Sequence, residues 1–226
     1  MYTGPNIVKD GLVLALDATS ERSWTPGSAF WYDLSGFNNH ATAYGSPMTQ
    51  DSNTPVRNIY FDGTNTYFQI AANENSLSFK NGQTVCMLFY TTYTSGRRNL
   101  WDQAYGGYGT WTHEQGNNIS QYFGTHGGNS SPYIGYGSAT TPQGEWNYVA
   151  MSRTATTATW FRNGVRSSQR DNPYDMTTVN TTANIRIGVG YAGWWIGNLV
   201  YVHAYNRGLD DGEIAQNFNA LKGRFD

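Results

Sequence analysis

The sequence predicts an all-β protein: a two-sheet antiparallel β-sandwich closed by one short C-terminal helix. Three observations lead there. Short apolar runs recur along the chain, separated by clusters of Gly, Asn, Pro and Ser. The two ends match, because residues 11–18 (Gly-Leu-Val-Leu-Ala-Leu-Asp-Ala) read as a strand entering a loop and residues 197–207 as a strand leaving the fold just before a capped helix. The chain also carries 17 Tyr, 10 Phe and 8 Trp against only 13% charged residues, enough large rings to fill a core and too few charges for disorder.

The predicted strands, in order, are Leu12–Asp17, Asn58–Asp62, Tyr67–Ala71, Thr84–Thr92, Ile119–Gly124, Tyr133–Gly137, Asn147–Thr154, Thr159–Asn163, Ile185–Gly190 and Trp195–Asn206. In Val85-Cys86-Met87-Leu88-Phe89-Tyr90 both alternating faces are apolar, so this strand is expected to be covered on both sides. In the last strand, Val200, Val202 and Ala204 fall on one face. Leu199, Tyr201, His203 and Tyr205 fall on the other, larger face. Asn163-Gly164 sits between two β runs and tolerates positive φ at both positions, which predicts a tight hairpin; Asn81-Gly82 is a second turn of the same type. Asp210 with Glu213 has capping-box spacing, Ile214, Phe218 and Leu221 follow as one apolar stripe, and Gly223 reads as the stop. Residues 1–10 read as an N-terminal arm and residues 11–226 as a single domain with no linker inside it.

Composition narrows the function. The net charge is −2 with no basic block, so a nucleic-acid partner is not expected. No stretch approaches the length of a membrane helix, and no apolar segment opens the chain as a secretory signal would. Cys86 is the only cysteine, which excludes an internal disulfide; in its apolar strand it reads as a buried, inert thiol made in a reducing cytosol.

Motifs for catalysis are missing or incomplete. Glu114, Glu145 and Asp102 stand apart, without the paired-carboxylate spacing that glycosidic cleavage needs. Residues 188–193 match Gly-x-Gly-x-x-Gly, but Trp194-Trp195-Ile196-Gly197 follows and reads as another strand, where a dinucleotide site requires a helix. His40, His113, His126 and His203 lack zinc spacing, and the chain is read as a non-enzyme with no cofactor.

Segment 97–137 mixes rings with polar groups: Trp101, Tyr105, Tyr108, Trp111, His113, Asn117, Tyr122 and His126. Trp194 and Trp195 stand at another loop. Two readings fit these residues equally. Sugars stack on Trp and Tyr while polar side chains take the hydroxyls; alternatively, the same rings fill the core or face a neighbouring subunit.

The motifs in series carry a family resemblance. Trp146-Asn147-Tyr148-Val149-Ala150, Thr159-Trp160-Phe161-Arg162-Asn163-Gly164-Val165, Ile185-Arg186-Ile187-Gly188, and Gly197-Asn198-Leu199 with Tyr205-Asn206-Arg207 and Glu213-Ile214 follow one another, after an early Ile59-Tyr60-Phe61-Asp62-Gly63-Thr64-Asn65-Thr66-Tyr67. This series resembles the laminin-G-like, concanavalin A-like lectin/glucanase superfamily across roughly residues 11–220. The resemblance implies a jelly roll of two antiparallel sheets. It also implies a calcium ion near the rim, for which Asp17, Asp33, Asn38 and Asp62 are the available oxygens; the same residues equally serve as turn caps.

The head segment, residues 4–18 with Trp31-Tyr32-Asp33-Leu34-Ser35-Gly36, looks like the start of structural proteins of tailed bacteriophages. That resemblance implies a virion protein: a surface decoration or a head, neck or tail accessory, synthesised in the host cytoplasm and ending on the particle surface. The arm would dock on other virion proteins or a second copy of the chain. The alternative function is a lectin-like module that contacts host surface polysaccharide.

Overall fold

The computed structural model describes residues 6–46, 48–73, 75–93, 95–103, 108–114, 118–123, 134–171 and 183–225. Its strands are β1 (Leu12–Asp17), β2 (Phe30–Trp31), β3 (Ala41–Tyr44), β4 (Ile59–Asp62), β5 (Tyr67–Ile70), β6 (Gln83–Tyr90), β7 (Arg98–Gln103), β8 (Gly109–Glu114), β9 (Asn118–Phe123) and β10 (Ile134–Thr140). They continue with β11 (Trp146–Arg153), β12 (Thr157–Arg162), β13 (Val165–Asp171), β14 (Ile185–Ile187), β15 (Val189–Gly190), β16 (Gly193–Trp194) and β17 (Ile196–Tyr205), followed by helix α1 (Asp211–Leu221).

Two antiparallel sheets form a β-sandwich, as the sequence predicts. The first runs β1-β17-β6-β11-β12-β13, with β4 paired to β17 as well; the second runs β10-β9-β8-β7-β14-β5-β3-β2. The two ends of the chain meet as expected, with Leu14 opposite Ala204 and Leu16 opposite Val202. Because β17 is ten residues long, β1 and β4 share its one edge in tandem, β4 along Ile196–Leu199 and β1 along Tyr201–Tyr205.

The first sheet is apolar on both faces. Leu14, Leu16, Val85, Met87, Phe89, Val149, Met151 and Trp160 point between the sheets and meet Phe68, Ile70, Trp101, Trp111 and Ile187 of the second. On its outer face Cys86, Leu88, Tyr148, Ala150 and Phe161 are roofed by Ile214, Ala220 and Leu221 of α1. Strand β6 is therefore covered on both sides, which is what its unbroken apolar run signals. Burial pushes the Cys86 thiol up to about 12, the inert state expected of it.

The last strand departs from simple alternation. The register with β6 shifts between Leu199 and Tyr201. Leu199 consequently joins Val202 and Ala204 in the core between the sheets, while Val200 and Tyr201 both turn to the helix side. A bulge inserts one residue and reverses the faces beyond it, so the face assignment read from alternation fails at Leu199 and Val200.

Helix α1 starts where the capping box places it: the Glu213 amide donates to Asp210 Oδ1 at 2.8 Å and the Asp210 amide to Glu213 Oε2 at 3.1 Å. It ends at Leu221, and Lys222–Arg224 continue as a single 3-10 turn around Gly223. Asn163 (φ 49°) and Gly164 (φ 78°) form the predicted hairpin between β12 and β13. Asn81-Gly82 instead ends a loop that feeds β6, with the Gly82 amide donating to Phe79 O at 3.1 Å, so it joins no pair of strands. Residues 188–194 form the small hairpin β15–β16 where a dinucleotide fold needs a helix.

Candidate aromatic binding rim

The rings of segment 97–137 that the structure describes lie inside the sandwich. Trp101 and Trp111 face each other across β7 and β8 and are fully buried. Trp111 packs on Trp160 with ring centroids 4.8 Å apart, and Tyr108 meets the edge of Phe79 at 5.2 Å. His113 is 3% exposed, between Phe89 and Trp195; burial holds its pKa down at about 4, so it is a neutral imidazole. These four side chains are core, a correction to their reading as a sugar platform: a ring enclosed on both faces has none left to stack on a ligand. Tyr122 lies in β9 opposite Gly135, and only its backbone is described. Tyr105, Asn117 and His126 lie outside the described residues.

The calcium candidates are turn braces. Asp33 Oδ1 accepts the amides of Ala15 (2.8 Å) and Ser35 (2.9 Å), and Oδ2 accepts the Ser35 hydroxyl (2.7 Å) and the Asn39 amide (3.0 Å). Asp17 Oδ1 accepts the Thr19 amide and hydroxyl at 2.8 and 2.6 Å, and Oδ2 takes Arg224 at 3.2 Å. For Asp62, burial alone would raise the carboxyl; donors on Thr64, Thr66 and Asn65 outweigh it and hold the pKa at about 2. Asn38 occupies the left-handed region at φ 58°, a turn position. Asp17 and Asp33, with both carboxylate oxygens taken by N–H and O–H donors, do not fit a cage of six to eight oxygens, and Asp62 spends Oδ1 on the donors of its own turn. Among the described residues no three His, Cys, Asp or Glu side chains converge.

Another group of rings, exposed or half-exposed, lies at one end of the second sheet. Period-two alternation buries Phe68 and Ile70 and turns Tyr67 and Gln69 outward. On the neighbouring strand Ala41 and Ala43 face the core, leaving Tyr44 outward and 41% exposed. Tyr44 lies opposite Tyr67 in the ladder, and their rings stack at 4.9 Å with planes 12° apart. Trp194 meets the edge of Tyr67 at 5.7 Å and 67°. Its neighbour Trp195 is buried against Phe89, so the Trp-Trp pair is split by strand alternation, one ring to the core and one to the rim.

Hairpin β15–β16 carries Trp194 there by folding back across β7. The Ala192 amide donates to Asn99 Oδ1 at 2.7 Å, and Gly190 sits where a Cβ would come within 2.6 Å of Asn99 Cγ and 2.7 Å of Asp102 Cγ. At its tip Tyr191, 40% exposed, lies under the Arg97 guanidinium at 5.6 Å. Arg98 donates to the Tyr93 hydroxyl at 2.6 Å beside the same hairpin. On the other flank the Ser46 hydroxyl donates at 3.0 Å to Oδ1 of Asn65, an exposed residue. The rim is therefore a strip of half-exposed rings bordered by guanidinium, amide and hydroxyl groups.

Carboxylates that could do chemistry are engaged elsewhere. Glu145 pairs with Arg162 at 2.8 Å and Asp102 lies buried beneath Gly190. The side chain of Glu114 is outside the described residues.

Comparison with known proteins agrees with this architecture. The chain is similar to the receptor-binding domain of a botulinum neurotoxin C/D mosaic serotype (TM-score 0.71, 11% identity, 93% of this chain and 51% of that one). It is similar to the serotype C1 binding domain (TM-score 0.72, 13% identity, 94% and 52%). A third likeness is to the binding domain of botulinum neurotoxin DC, solved in complex with rat synaptotagmin II (TM-score 0.71, 14% identity, 95% and 52%). The chain thus spans about half the length of these solved structures, and at such identities the likeness is one of fold. No curated protein sequence matches it. The sequence of residues 61–215 matches the Laminin_G_3 family. With more than half of the chain inside that match, and with both sheets, the C-terminal helix and the paired ends as described, the protein belongs to the concanavalin A-like lectin/glucanases superfamily.

Proposed function

We propose that the chain is a non-catalytic binding domain that holds a polysaccharide of a host cell surface on its aromatic rim, and that it does so as a decoration or accessory protein of a tailed-phage particle. The stacked pair Tyr44–Tyr67 with Trp194 at its edge carries the first part. A pyranose ring presents C–H groups on one face and hydroxyls at its margin. Rings that are half exposed and held by their neighbours offer an apolar platform at low entropic cost. Arg97, Arg98 and Asn65 stand at its border as donors to hydroxyls, the few-polar-groups-around-an-apolar-floor composition of small-ligand sites. The binding roles named for the structural neighbours support binding over catalysis. The virion setting rests on the resemblance of residues 4–18 and 31–36 to phage structural proteins.

A glycan array tests the binding. Wild type should retain at least one bacterial surface glycan, and a Tyr44→Ala/Trp194→Ala double variant should lose at least about tenfold in signal, the loss of roughly 1.4 kcal/mol of stacking. No glycan above background, or equal retention by the variant, would refute it. Mass spectrometry of purified particles tests the setting, and absence of the chain from them would end it.

A further inference from the structure

A second site lies on the opposite flank of the first sheet, where the start of the chain crosses the end of the helix. Asn6, Ile7 and Lys9 run past β1 and the C-terminal turn, and a cavity of about 220 Å³ remains between them. Ile7, Ala15, Leu34, Ala220 and Leu221 supply its apolar wall. A dry cavity of roughly 150 Å³ suffices for benzene, so this one has room for a body of about nine non-hydrogen atoms on the same scale.

Charge at the mouth is unbalanced. Lys9 and Arg224 both line the cavity, against the one carboxylate of Asp17. That carboxylate is already shared between Thr19 and Arg224. Lys9 forms no ion pair among the described residues, so one cation is left over. His203 forms part of the wall, 3% exposed, and its Nδ1 has no hydrogen-bond partner among the described residues. Burial first, and then Lys9 and Arg224, hold the imidazole pKa down at about 3. The ring is thus neutral and adds no third cation to the mouth, while a buried polar atom left unpaired is costly.

We infer that this cavity binds a small carboxylate: an apolar body against Ile7, Leu34 and Leu221, and a carboxylate group held by Lys9 and Arg224 with His203 beside it. Two sources share that chemistry, a free organic acid and the C-terminal residue of a partner chain. The two are separated by their probes.

The test is calorimetric titration of the full chain with two matched pairs, benzoate against benzamide and N-acetyl-leucine against N-acetyl-leucinamide. At least one acid should bind about tenfold more tightly than its amide, the worth of one charge-assisted hydrogen bond. A larger preference in the second pair assigns the chain-end source, and in the first pair the free acid. Lys9→Gln, at an exposed position, should abolish the preference while leaving the melting temperature unchanged; His203→Phe should weaken the acid and keep the fold. If neither acid outbinds its amide, or if the preference survives both Lys9→Gln and Arg224→Gln, the inference is wrong. Neither result bears on the aromatic rim, which shares no residue with this cavity.

Discussion

Tyr44 and Tyr67 stand directly opposite each other on neighbouring strands, and their rings stack face to face at 4.9 Å. The strands beneath them are short; Phe68 is buried in the core between the sheets, and Ala43, partly buried, packs against it. The platform is therefore rigid for the same reason that the sandwich is stable. Removing a ring from it should alter binding more than folding, whereas the rings of segment 97–137 should behave in the opposite way.

Trp111→Ala is the contrasting case. Its ring is fully buried against Trp160, so truncation should cost about 3–5 kcal/mol and yield insoluble or partly unfolded protein. Tyr44→Ala should shift stability by no more than about 1 kcal/mol, as surface changes do. Urea denaturation of both variants checks the pair. Equal stability losses would contradict the division between core and rim.

Gly190→Ala probes how Trp194 reaches the rim. A methyl group there would collide with Asn99 and Asp102, so hairpin β15–β16 must lift away from β7. The expected outcome is a loss of about 1–3 kcal/mol from overpacking together with weakened glycan binding, although the residue itself presents no side chain to a ligand. Unchanged binding would place the ligand away from Trp194.

Asn217 ties the helix to the start of the chain. Its Oδ1 accepts the Val8 amide at 2.8 Å and its Nδ2 donates to the Tyr205 hydroxyl at 3.0 Å, which in turn donates to Val8 O at 3.1 Å. Residues 6–9 thus pack on the chain's own helix, while Met1–Pro5 of the expected docking arm lie outside the described residues. Asn217→Leu keeps the branched shape of the side chain and leaves the Val8 amide buried and unpaired, a cost of about 1–3 kcal/mol. Hydrogen exchange should quicken first at Val8 and along α1.

Acid should weaken the fold in two stages. His113 and His203 have folded pKa values lowered to about 4 and about 3 by burial. The unfolded chain therefore takes up protons from about pH 6.5 downward that the folded chain refuses, and stability falls by up to about 1.4 kcal/mol per pH unit for each histidine until those pKa values are reached. Asp62 adds a second loss below its ordinary value near 3.8, as pH falls towards about 2. His113→Phe should roughly halve the slope of stability between pH 6 and pH 4.5 in urea titrations; an unchanged slope would contradict a neutral buried imidazole.

Much of this fold was legible because its signals are local. The apolar run of β6, the Asn163-Gly164 turn and the Asp210–Glu213 box each fix one element by short-range chemistry. Strands β7 and β8 escaped notice because their outward residues, Asn99, Thr110 and Thr112, are polar yet buried, joined to one another by hydrogen bonds under the β15–β16 hairpin. That cover also explains why Trp101 and Trp111 read as a ligand platform: no residue within the segment reveals which side of it is roofed. The rim was legible only in fragments. Tyr44, Tyr67 and Trp194 belong to three separate strands, and it is pairing and a folded-back hairpin that bring them together, leaving Trp194 of the Trp-Trp pair as the sole local hint.

The most direct measurement is a titration of indole-labelled protein with the glycan that the array selects, followed by nitrogen–proton NMR of the tryptophan Nε1 resonances. The Trp194 signal should move progressively and saturate, the buried Trp101, Trp111 and Trp195 signals should stay in place, and Tyr44→Ala should shift the curve to at least about tenfold higher glycan concentration. A saturating shift that leaves Trp194 unmoved, or one that Tyr44→Ala does not weaken, would contradict the account.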